Sequence, residues 1–550
     1  MTGARPLPFL RTTGRATQLV VDGAPTLLLG GQLHNSATSD GGHLRRVLDR
    51  VAAAHADTVI GGVSWALLEP VEGTFDFAHV DAQVEAARER GLRLVLLWFG
   101  AFKNAASTYA PRWVRSDPGR FPRAVVTRGR PVAFSYPGAM PKPVLSVFSP
   151  ELLAADRAAF VALMRHLAET DPGHVVVMVQ VENEVGLLGD SRDRSPAADE
   201  AWHGEVPKEL VAHLEEHPDR LRPELAELWE RHGRRTAGTW EEVFGTGEEA
   251  EEVFMAWAFA GHVEELAAAG RAVKPLPMYV NAWLGPQPGQ ARAGEYPSGG
   301  PTSRVLDVWK AGAPSLDLLA PDVYVDDAAA AMADYDRPDN PLFVPETRFR
   351  TGSLFWALGH HRAIGFSVFG IEDGRTDSQL ARAYALLRPL ATAITAAQGE
   401  DRIAGILLDD GAPDSSFRLG GLDVTARDSR ALLGRMLLDA GVQPPPPPPP
   451  PPSETEGSAG PPAPRDTRPF GLLMAEGDDT FLLVGQGVTV DFSAPGETVE
   501  VDRVEELLLE GGRWTRGRLL NGDERLHVVP LDDLGVARIT LLRIPPGDPR

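Results

Sequence analysis

Short apolar runs and longer amphipathic stretches alternate along the chain from about residue 27 to residue 395. The runs are rich in Val, Leu and Ile, which is typical of strands that are buried on both faces of a parallel sheet. The stretches between them show helical periodicity, as in "HLRRVLDRVAAA" (43–54), where Leu44, Val47 and Val51 share one face. The predicted strands lie at 26–37, 57–70, 92–100, 175–186, 276–285, 316–325, 340–348 and 363–373. Eight strands that alternate with helices or long loops favour an α/β fold with a (β/α)8 (TIM) barrel over an open sheet.

Two parts of the chain depart from this alternation. Residues 190–275 are mostly helical and exceed what one crossover helix needs, which predicts a helical insertion in the barrel. Residues 401–550 contain short β-type runs broken by Gly and Asp turns, which predicts an all-β, sandwich-like domain. Nine consecutive prolines occupy 444–452, and a polyproline II loop is predicted at about 443–466. We therefore predict a barrel domain at 1–398 and a C-terminal β-domain at 399–550.

Charge and composition exclude several classes of protein. The 550 residues include 54 basic and 76 acidic side chains, and the resulting net charge of −22 repels nucleic acids. The chain has no cysteine, so disulfides and thiolate chemistry are excluded. It has no apolar run of about 18 residues and no signal-type N-terminal stretch, which predicts no membrane partner and a cytoplasmic location. No HExxH or GxGxxG motif occurs, and we expect neither a metal nor a cofactor.

Polar and aromatic residues gather where the predicted strands end, which is where barrels of this type carry their chemistry. In chain order these residues are Gln32, His34, Asn35, Trp65, Glu69, Trp98, Phe99, Lys103, Asn104, Glu182, Asn183, Glu184, Asn281, Trp283, Asp322, Tyr324, Glu346, Arg348, Phe369, Glu372 and Asp373. Sugars need this mixture, because their hydroxyls bind carboxylates and amides while their apolar ring faces lie against aromatic rings. Simpler alternatives stay open for single residues: Trp65 and Trp98 as core residues, and Glu69 as a turn cap.

Three motifs together carry a resemblance to known enzymes. They are "VSWALLEPVEGTFDF" (63–77), "VQVENEVG" (179–186) and "FVPETR" (343–348). They resemble the retaining glycoside hydrolases with a (β/α)8 barrel and catalytic glutamates on strands 4 and 7. With "LVLLWFGAFKNA" (94–105) and "LLGDSRDRSP" (187–196), the chain resembles more closely glycoside hydrolase family 35, the β-galactosidase family. The match is to its bacterial branch, which carries a C-terminal β-domain of unassigned function.

The resemblance implies a retaining β-glycosidase, with β-galactosidase the first expectation, that works by double displacement. Strand alternation places Glu182 and Glu184 on one side, so the residues alone do not choose between them. The resemblance implies that Glu184 is the acid/base, that Asn183 binds the sugar 2-hydroxyl and that Glu346 is the nucleophile. The other predicted substrate contacts are Gln32, Asn35, Trp65, Glu69, Trp98, Lys103, Asn104, Trp283, Tyr324 and Glu372.

The chain departs from the family around the sugar. Where the family has an Ala-Glu pair that contacts galactose, this chain has "FKNA", with Lys103 and Asn104. Gly61 and Gly62 stand near the position of an expected Tyr, and Gln32 stands where a Glu is expected. A β-glucosidase or a β-glucan-acting transglycosylase is therefore the alternative, and an inactive carbohydrate-binding barrel is the alternative of a different class. The predicted partner is a carbohydrate, and assembly into a homo-oligomer is left open.

Overall fold

A computed structural model describes residues 5–126, 144–409, 411–443, 453–456 and 463–545. The nine consecutive prolines, and with them most of the predicted polyproline loop, lie outside these residues. Among the described helices, none has both the length and the apolar character needed to cross a bilayer.

The elements up to residue 399 alternate in type as the sequence pattern predicts. The strands are β1 (Phe9–Thr13), β2 (Ala16–Val21), β3 (Ala24–Thr26), β4 (Leu28–Gln32), β5 (Thr58–Ser64), β6 (Arg93–Lys103), β7 (Val176–Asn183), β8 (Met278–Trp283), β9 (Leu318–Val323), β10 (Glu346–Thr347) and β11 (Gly365–Phe369). The helices are α1 (Gly41–Ala53), α2 (Trp65–Leu68), α3 (Ala78–Glu89), α4 (Arg112–Arg115), α5 (Pro150–Thr170), α6 (Pro196–Trp202), α7 (Lys208–Glu216), α8 (Pro223–Arg231), α9 (Trp240–Phe244), α10 (Glu248–Val273), α11 (Leu306–Gly312), α12 (Ala328–Tyr335), α13 (Thr351–Gly359), α14 (Gln379–Leu387) and α15 (Ala391–Gly399).

Eight strands form one sheet in the order β10-β9-β8-β7-β6-β5-β4-β11. The pairings from β5 through β9 are parallel. Every residue of β7 is buried, as expected of a strand covered on both faces. The order and direction of the strands confirm the predicted (β/α)8 barrel. The small sheet β1-β2-β3 was not predicted, because its strands are only three to six residues long.

Two elements differ from the prediction because of proline. The strand predicted at 340–348 reduces to β10, since Pro341 and Pro345 have no N–H to donate to a ladder. The sequence pattern over about 377–397 predicts one helix, but the structure has two, α14 and α15, and Pro389 lies in the 3-10 turn between them.

The helical insertion is confirmed and runs from α6 to α10. Its last helix, α10, has 26 residues and packs against α5. The sequence also predicts a helix at about 150–169, and the structure confirms it as α5. This helix begins at Pro150, and the Ser149 side chain caps it by accepting the N–H of Leu152 at 3.1 Å. These two helices support the ends of β6 and β7 from outside the sheet.

The C-terminal region is mostly β-structure. It contains β12 (Ile403–Leu407), β13 (Asp414–Leu419), β14 (Leu422–Asp428), α16 (Ser429–Asp439), β15 (Phe470–Ala475), β16 (Thr480–Gln486), β17 (Val488–Ser493), β18 (Thr498–Glu510), β19 (Arg513–Leu520) and β20 (Gly535–Ile544). A six-stranded sheet, β12-β15-β16-β20-β18-β19, and a three-stranded sheet, β13-β14-β17, enclose one apolar core. This confirms the predicted sandwich-like domain, although α16, capped by Asp428, was not predicted.

The described residues divide into two compact units. The first unit contains the described residues of 1–9, 32–48 and 58–326, and it includes β5 to β9 and the helical insertion. The other contains those of 10–31, 49–57 and 327–550, and includes β10, β11 and both C-terminal sheets. The domain boundary predicted between residues 398 and 399 falls between α15 and β12 and stays a prediction.

Glu252 of α10 is a buried carboxyl group whose protonation contributes to stability. It is 2% exposed, accepts a hydrogen bond from the Tyr296 hydroxyl at 3.0 Å, and lies 3.9 Å from the guanidinium of Arg304. Burial raises the pKa of Glu252 from 4.5 to about 7, and Arg304 and Tyr296 only partly oppose this effect. The folded protein therefore holds this proton at pH values where the unfolded chain has lost it.

We expect the Glu252 proton to contribute to the free energy of unfolding fully below about pH 4.5, with the contribution lost as the pH rises through about 7. The full effect is about 3 kcal/mol. Glu252→Gln removes the titration, so wild type should lose stability relative to this variant between pH 5 and pH 8. Urea unfolding of both proteins across this range measures the difference. Glu265→Gln, at an exposed position of the same helix that pairs with Arg157, is the control. A pH-independent difference for Glu252→Gln would contradict the assignment.

Candidate active site

The end of β7 carries the predicted acid/base in an uncommon backbone conformation. Glu182 and Glu184 have φ values of 62° and 46°, in the left-handed region that residues other than glycine seldom adopt. This conformation breaks the alternation of the strand, so the expectation that both side chains share one side does not hold. Glu182 binds backbone N–H groups of β6, whereas Glu184 binds the side chain of Asn104.

Glu182 belongs to a buried polar cluster beside the end of β6. Its two carboxylate oxygens accept the N–H groups of Ala101 at 2.9 Å and Phe102 at 3.0 Å. Asp156 of α5 also accepts the N–H of Ala101, and His262 Nε2 of α10 lies 3.1 Å from Asp156. Burial, followed by the charge of Asp156, holds the pKa of Glu182 well above its usual range. These contacts support a structural role for Glu182, because both of its oxygens are occupied inside the protein.

Asp156 and His262 were missed by the reasoning from sequence. Asp156 lies in one apolar row of α5 with Leu152 and Phe160, and an acidic residue in such a row is a signal that points to a buried polar contact. His262 offers no such contrast, because α10 is buried on most of its surface.

A buried lysine orients Asn183, the predicted ligand of the 2-hydroxyl. Lys103 Nζ donates to Asn183 Oδ1 at 2.6 Å and lies 4.8 Å from the centre of the Phe99 ring. That ring packs against β5 because Gly62 has no side chain; a Cβ there would lie 2.4 Å from Phe99. Asn183 Nδ2 is buried and has no hydrogen-bond partner among the described residues. Asn183 is thus left with a free donor, as binding a hydroxyl requires.

Asn281 and Asp322 hold the backbone of Glu184. Asn281 Oδ1 accepts the N–H of Glu184 at 2.8 Å, and its Nδ2 donates to Asp322 at 2.6 Å. All three residues are buried, and a carboxylate oxygen of Asp322 lies within 4.8 Å of one of Glu184. Contacts from β8 and β9 therefore keep Glu184 in place at the end of β7.

Glu346, the predicted nucleophile, is the first residue of β10 and is 7% exposed. In the sheet, β10 is the neighbour of β9. A carboxylate at this strand fits the position expected of the nucleophile, and its role stays a prediction.

The four aromatic candidates fall into two groups. Trp65 and Trp98 are both 0% exposed, and their indole N–H groups donate to Glu69 at 2.8 Å and to Asp156 at 2.9 Å. These contacts favour structural roles for the two rings and for Glu69, and the substrate contacts expected of Trp65, Trp98 and Glu69 stay predictions. Trp283, the last residue of β8, and Tyr324, which follows β9, are only partly buried. They are the aromatic candidates with accessible ring surface.

Other predicted contacts lie at further strand ends. Gln32 ends β4 and is buried, and neither polar atom of its amide has a hydrogen-bond partner among the described residues. Asn35 Oδ1 is also buried and has no hydrogen-bond partner among the described residues. Glu372 is buried in the short 3-10 helix after β11. Because an unsatisfied buried amide costs free energy, Gln32 marks a place where a polar ligand would supply the missing bonds.

Two family models match parts of the chain. A glycoside hydrolase family 42 model, described as beta-galactosidase, matches residues 42–217, which include Asn183 and Glu184. A model described as a domain of unknown function, DUF5597, matches residues 380–531. The expectation of family 35 is therefore not supported. Its motifs are strand-end features common to retaining barrel enzymes, so they do not separate one family from another.

The chain is also similar to individual proteins. A beta-galactosidase from Xanthomonas manihotis is 30% identical over 189 residues, which cover 33% of this chain and 27% of that protein. This chain thus matches only roughly a quarter of that relative's length. A catalytic mutant of Gan42B, a GH42 beta-galactosidase from G. stearothermophilus, has a TM-score of 0.50 and 12% identity, over 94% of this chain and 98% of that one. A beta-galactosidase from Bacillus circulans sp. alkalophilus has a TM-score of 0.49 and 12% identity, over 94% of this chain and 99% of that one.

Proposed function

We propose that this protein is a retaining β-glycosidase with β-galactosidase-like activity on terminal β-linked sugars. One observation carries the proposal. The stretch that matches the beta-galactosidase family model includes Asn183 and Glu184, and the structure buries both at the end of a barrel strand. The ends of barrel strands are where enzymes of this fold carry their reacting groups.

The proposed reaction has two displacements. Glu346 attacks the anomeric carbon while Glu184 protonates the leaving oxygen, which forms a glycosyl-enzyme ester. Glu184 then removes a proton from water, and that water displaces Glu346 with overall retention of configuration. Retaining chemistry requires the two carboxyl groups to lie about 5–5.5 Å apart. No step of this mechanism uses a metal or a cofactor.

The residues around the pair suit a sugar. Asn183 donates from Nδ2 to the 2-hydroxyl, and the buried amide of Gln32 binds a further hydroxyl. Trp283 offers a partly exposed ring for the apolar face of the sugar, and its indole N–H donates to Gln290 at 3.1 Å. Lys103 orients Asn183 in this scheme, and the substrate contact predicted for Lys103 itself stays a prediction.

A panel of 4-nitrophenyl β-glycosides tests the proposal. We expect release of nitrophenol from the β-galactoside, with the β-glucoside, β-fucoside and β-glucuronide as comparisons. Preference for the β-glucoside would favour the β-glucosidase alternative, and disaccharide products would favour transglycosylation. If no member of the panel is cleaved while sugars still bind, the protein is a carbohydrate-binding barrel. A cytoplasmic location and a homo-oligomer stay predictions.

A further inference from the structure

The segment after β6 approaches the end of β7 in a constrained conformation. Asn104 and Ala105 have φ values of 51° and 49°, both in the left-handed region. The N–H of Asn104 donates to the carbonyl of Asn183 at 3.0 Å, and that of Ala105 donates to the carbonyl of Glu184 at 3.1 Å. Left-handed residues other than glycine cost on the order of 1 kcal/mol each and persist only where the surroundings hold them. Two in succession indicate that this segment is fixed against β7.

The side chain of Asn104 uses this placement to reach the predicted acid/base. Asn104 Nδ2 donates a hydrogen bond to Glu184 Oε2. An oxygen that accepts from an amide N–H is a poor place for a proton, because the hydroxyl oxygen of a carboxylic acid accepts a hydrogen bond more weakly than its carbonyl oxygen does. The proton of Glu184 is therefore favoured on its other oxygen, Oε1.

We propose that Asn104 is a positioning residue that keeps the transferable proton of Glu184 on Oε1. The inference rests on the proposed glycosidase function and replaces the substrate-binding role first expected of Asn104. An ionised carboxylate at this position could not donate to Glu184, whereas the amide of Asn104 does.

The other charged groups that face Glu184 come from several strands. Asp322 from β9 lies within 4.8 Å and is bound to Asn281, Lys103 from β6 is bound to Asn183, and Glu346 is the partner carboxylate in the proposed reaction. None of these contacts involves the side chain of Asn104. Substitution of Asn104 therefore changes one hydrogen bond to Glu184 and leaves the surrounding charges in place.

The pH profile of kcat/KM on a phenyl β-glycoside tests the proposal. Its basic limb reports loss of the proton from the acid. Asn104→Gly removes the donor and tolerates the left-handed backbone, and we expect this limb to move to higher pH by about 0.5–1.5 units. Asn104→Asp, which also tolerates that backbone, places a carboxylate beside Glu184 and should move the limb further. We expect kcat to fall about tenfold more for the phenyl glycoside than for a 2,4-dinitrophenyl glycoside, which needs little acid assistance.

Asn35→Gly is the matched control, because it removes another amide beside a strand end, one that makes no hydrogen bond to Glu184 among the described residues; it should alter activity without moving the basic limb. Wild-type cleavage with an unmoved basic limb in both Asn104 variants would overturn this inference and leave the proposed function intact. Failure of wild type to cleave any β-glycoside would overturn both. Thermal unfolding of each variant identifies a folding defect, and Asn104→Asp serves as the second test if Asn104→Gly is unfolded.

Discussion

We expect Glu346→Gln to lower kcat on a 4-nitrophenyl β-galactoside by about 10⁴-fold or more. The amide has nearly the shape of the carboxylate, so the buried environment of Glu346 is preserved, but a neutral amide cannot attack the anomeric carbon. Without that attack no glycosyl-enzyme forms, so Glu184 has no intermediate whose hydrolysis it could assist. Initial rates at matched enzyme concentration measure the loss.

Glu252→Gln is the control for this experiment. It makes the same change at a buried carboxyl group on α10 that takes no part in the proposed reaction, and should retain most of the wild-type rate. A Glu346→Gln enzyme with more than about 1% of wild-type activity would show that another group is the nucleophile.

Glu184→Ala should lose about 10²–10⁴-fold in kcat/KM on a phenyl β-glycoside, because the poor leaving group needs its proton. With a 2,4-dinitrophenyl glycoside the first step needs little acid, and the missing base instead slows hydrolysis of the glycosyl-enzyme. Azide, an anion that needs no base, should then restore turnover and give a β-glycosyl azide. Nuclear magnetic resonance of the product identifies its configuration.

The same azide treatment should not produce the β-azide with Glu346→Gln, since that variant forms no glycosyl-enzyme. If azide leaves the rate of Glu184→Ala unchanged and yields no azide product, Glu184 is not the acid/base. The two variants therefore distinguish the two carboxylates by the product formed as well as by the rate.

Large features of the fold were predictable because they depend on the repetition of apolar runs. Strands such as β7, with all eight residues buried, read as continuous apolar segments and predict a parallel sheet. The length of the helical stretch from 190 to 275 likewise predicts the insertion. Short elements were not predictable: α16 interrupts a region of β-type runs, and β10 is limited by prolines on either side of "LFV".

The candidate site shows where periodicity stops being informative. Alternation requires a regular strand, and the left-handed φ values of Glu182 and Glu184 end that regularity at the point where the chemistry is expected. The burial of Trp65 and Trp98 could not be decided from the sequence either. Both are of the residue type expected to stack on a sugar, but Glu69 and Asp156 bind their indole N–H groups inside the protein. The hydrogen bond from Trp98 to Asp156 joins residues 58 positions apart in the chain, and a single sequence does not contain such contacts.

Trapping the covalent intermediate tests the central claim most directly. In a 2,4-dinitrophenyl 2-deoxy-2-fluoro-β-galactoside, or the β-glucoside, the fluorine slows both displacements, while the good leaving group lets the first one proceed, so the glycosyl-enzyme accumulates. Mass spectrometry of the digested protein should find one fluorosugar, attached to Glu346, whereas Glu346→Gln should stay unlabelled. Attachment to any other residue, or hydrolysis of β-glycosides by a protein that is never labelled, would contradict the assignment of Glu346 as the nucleophile.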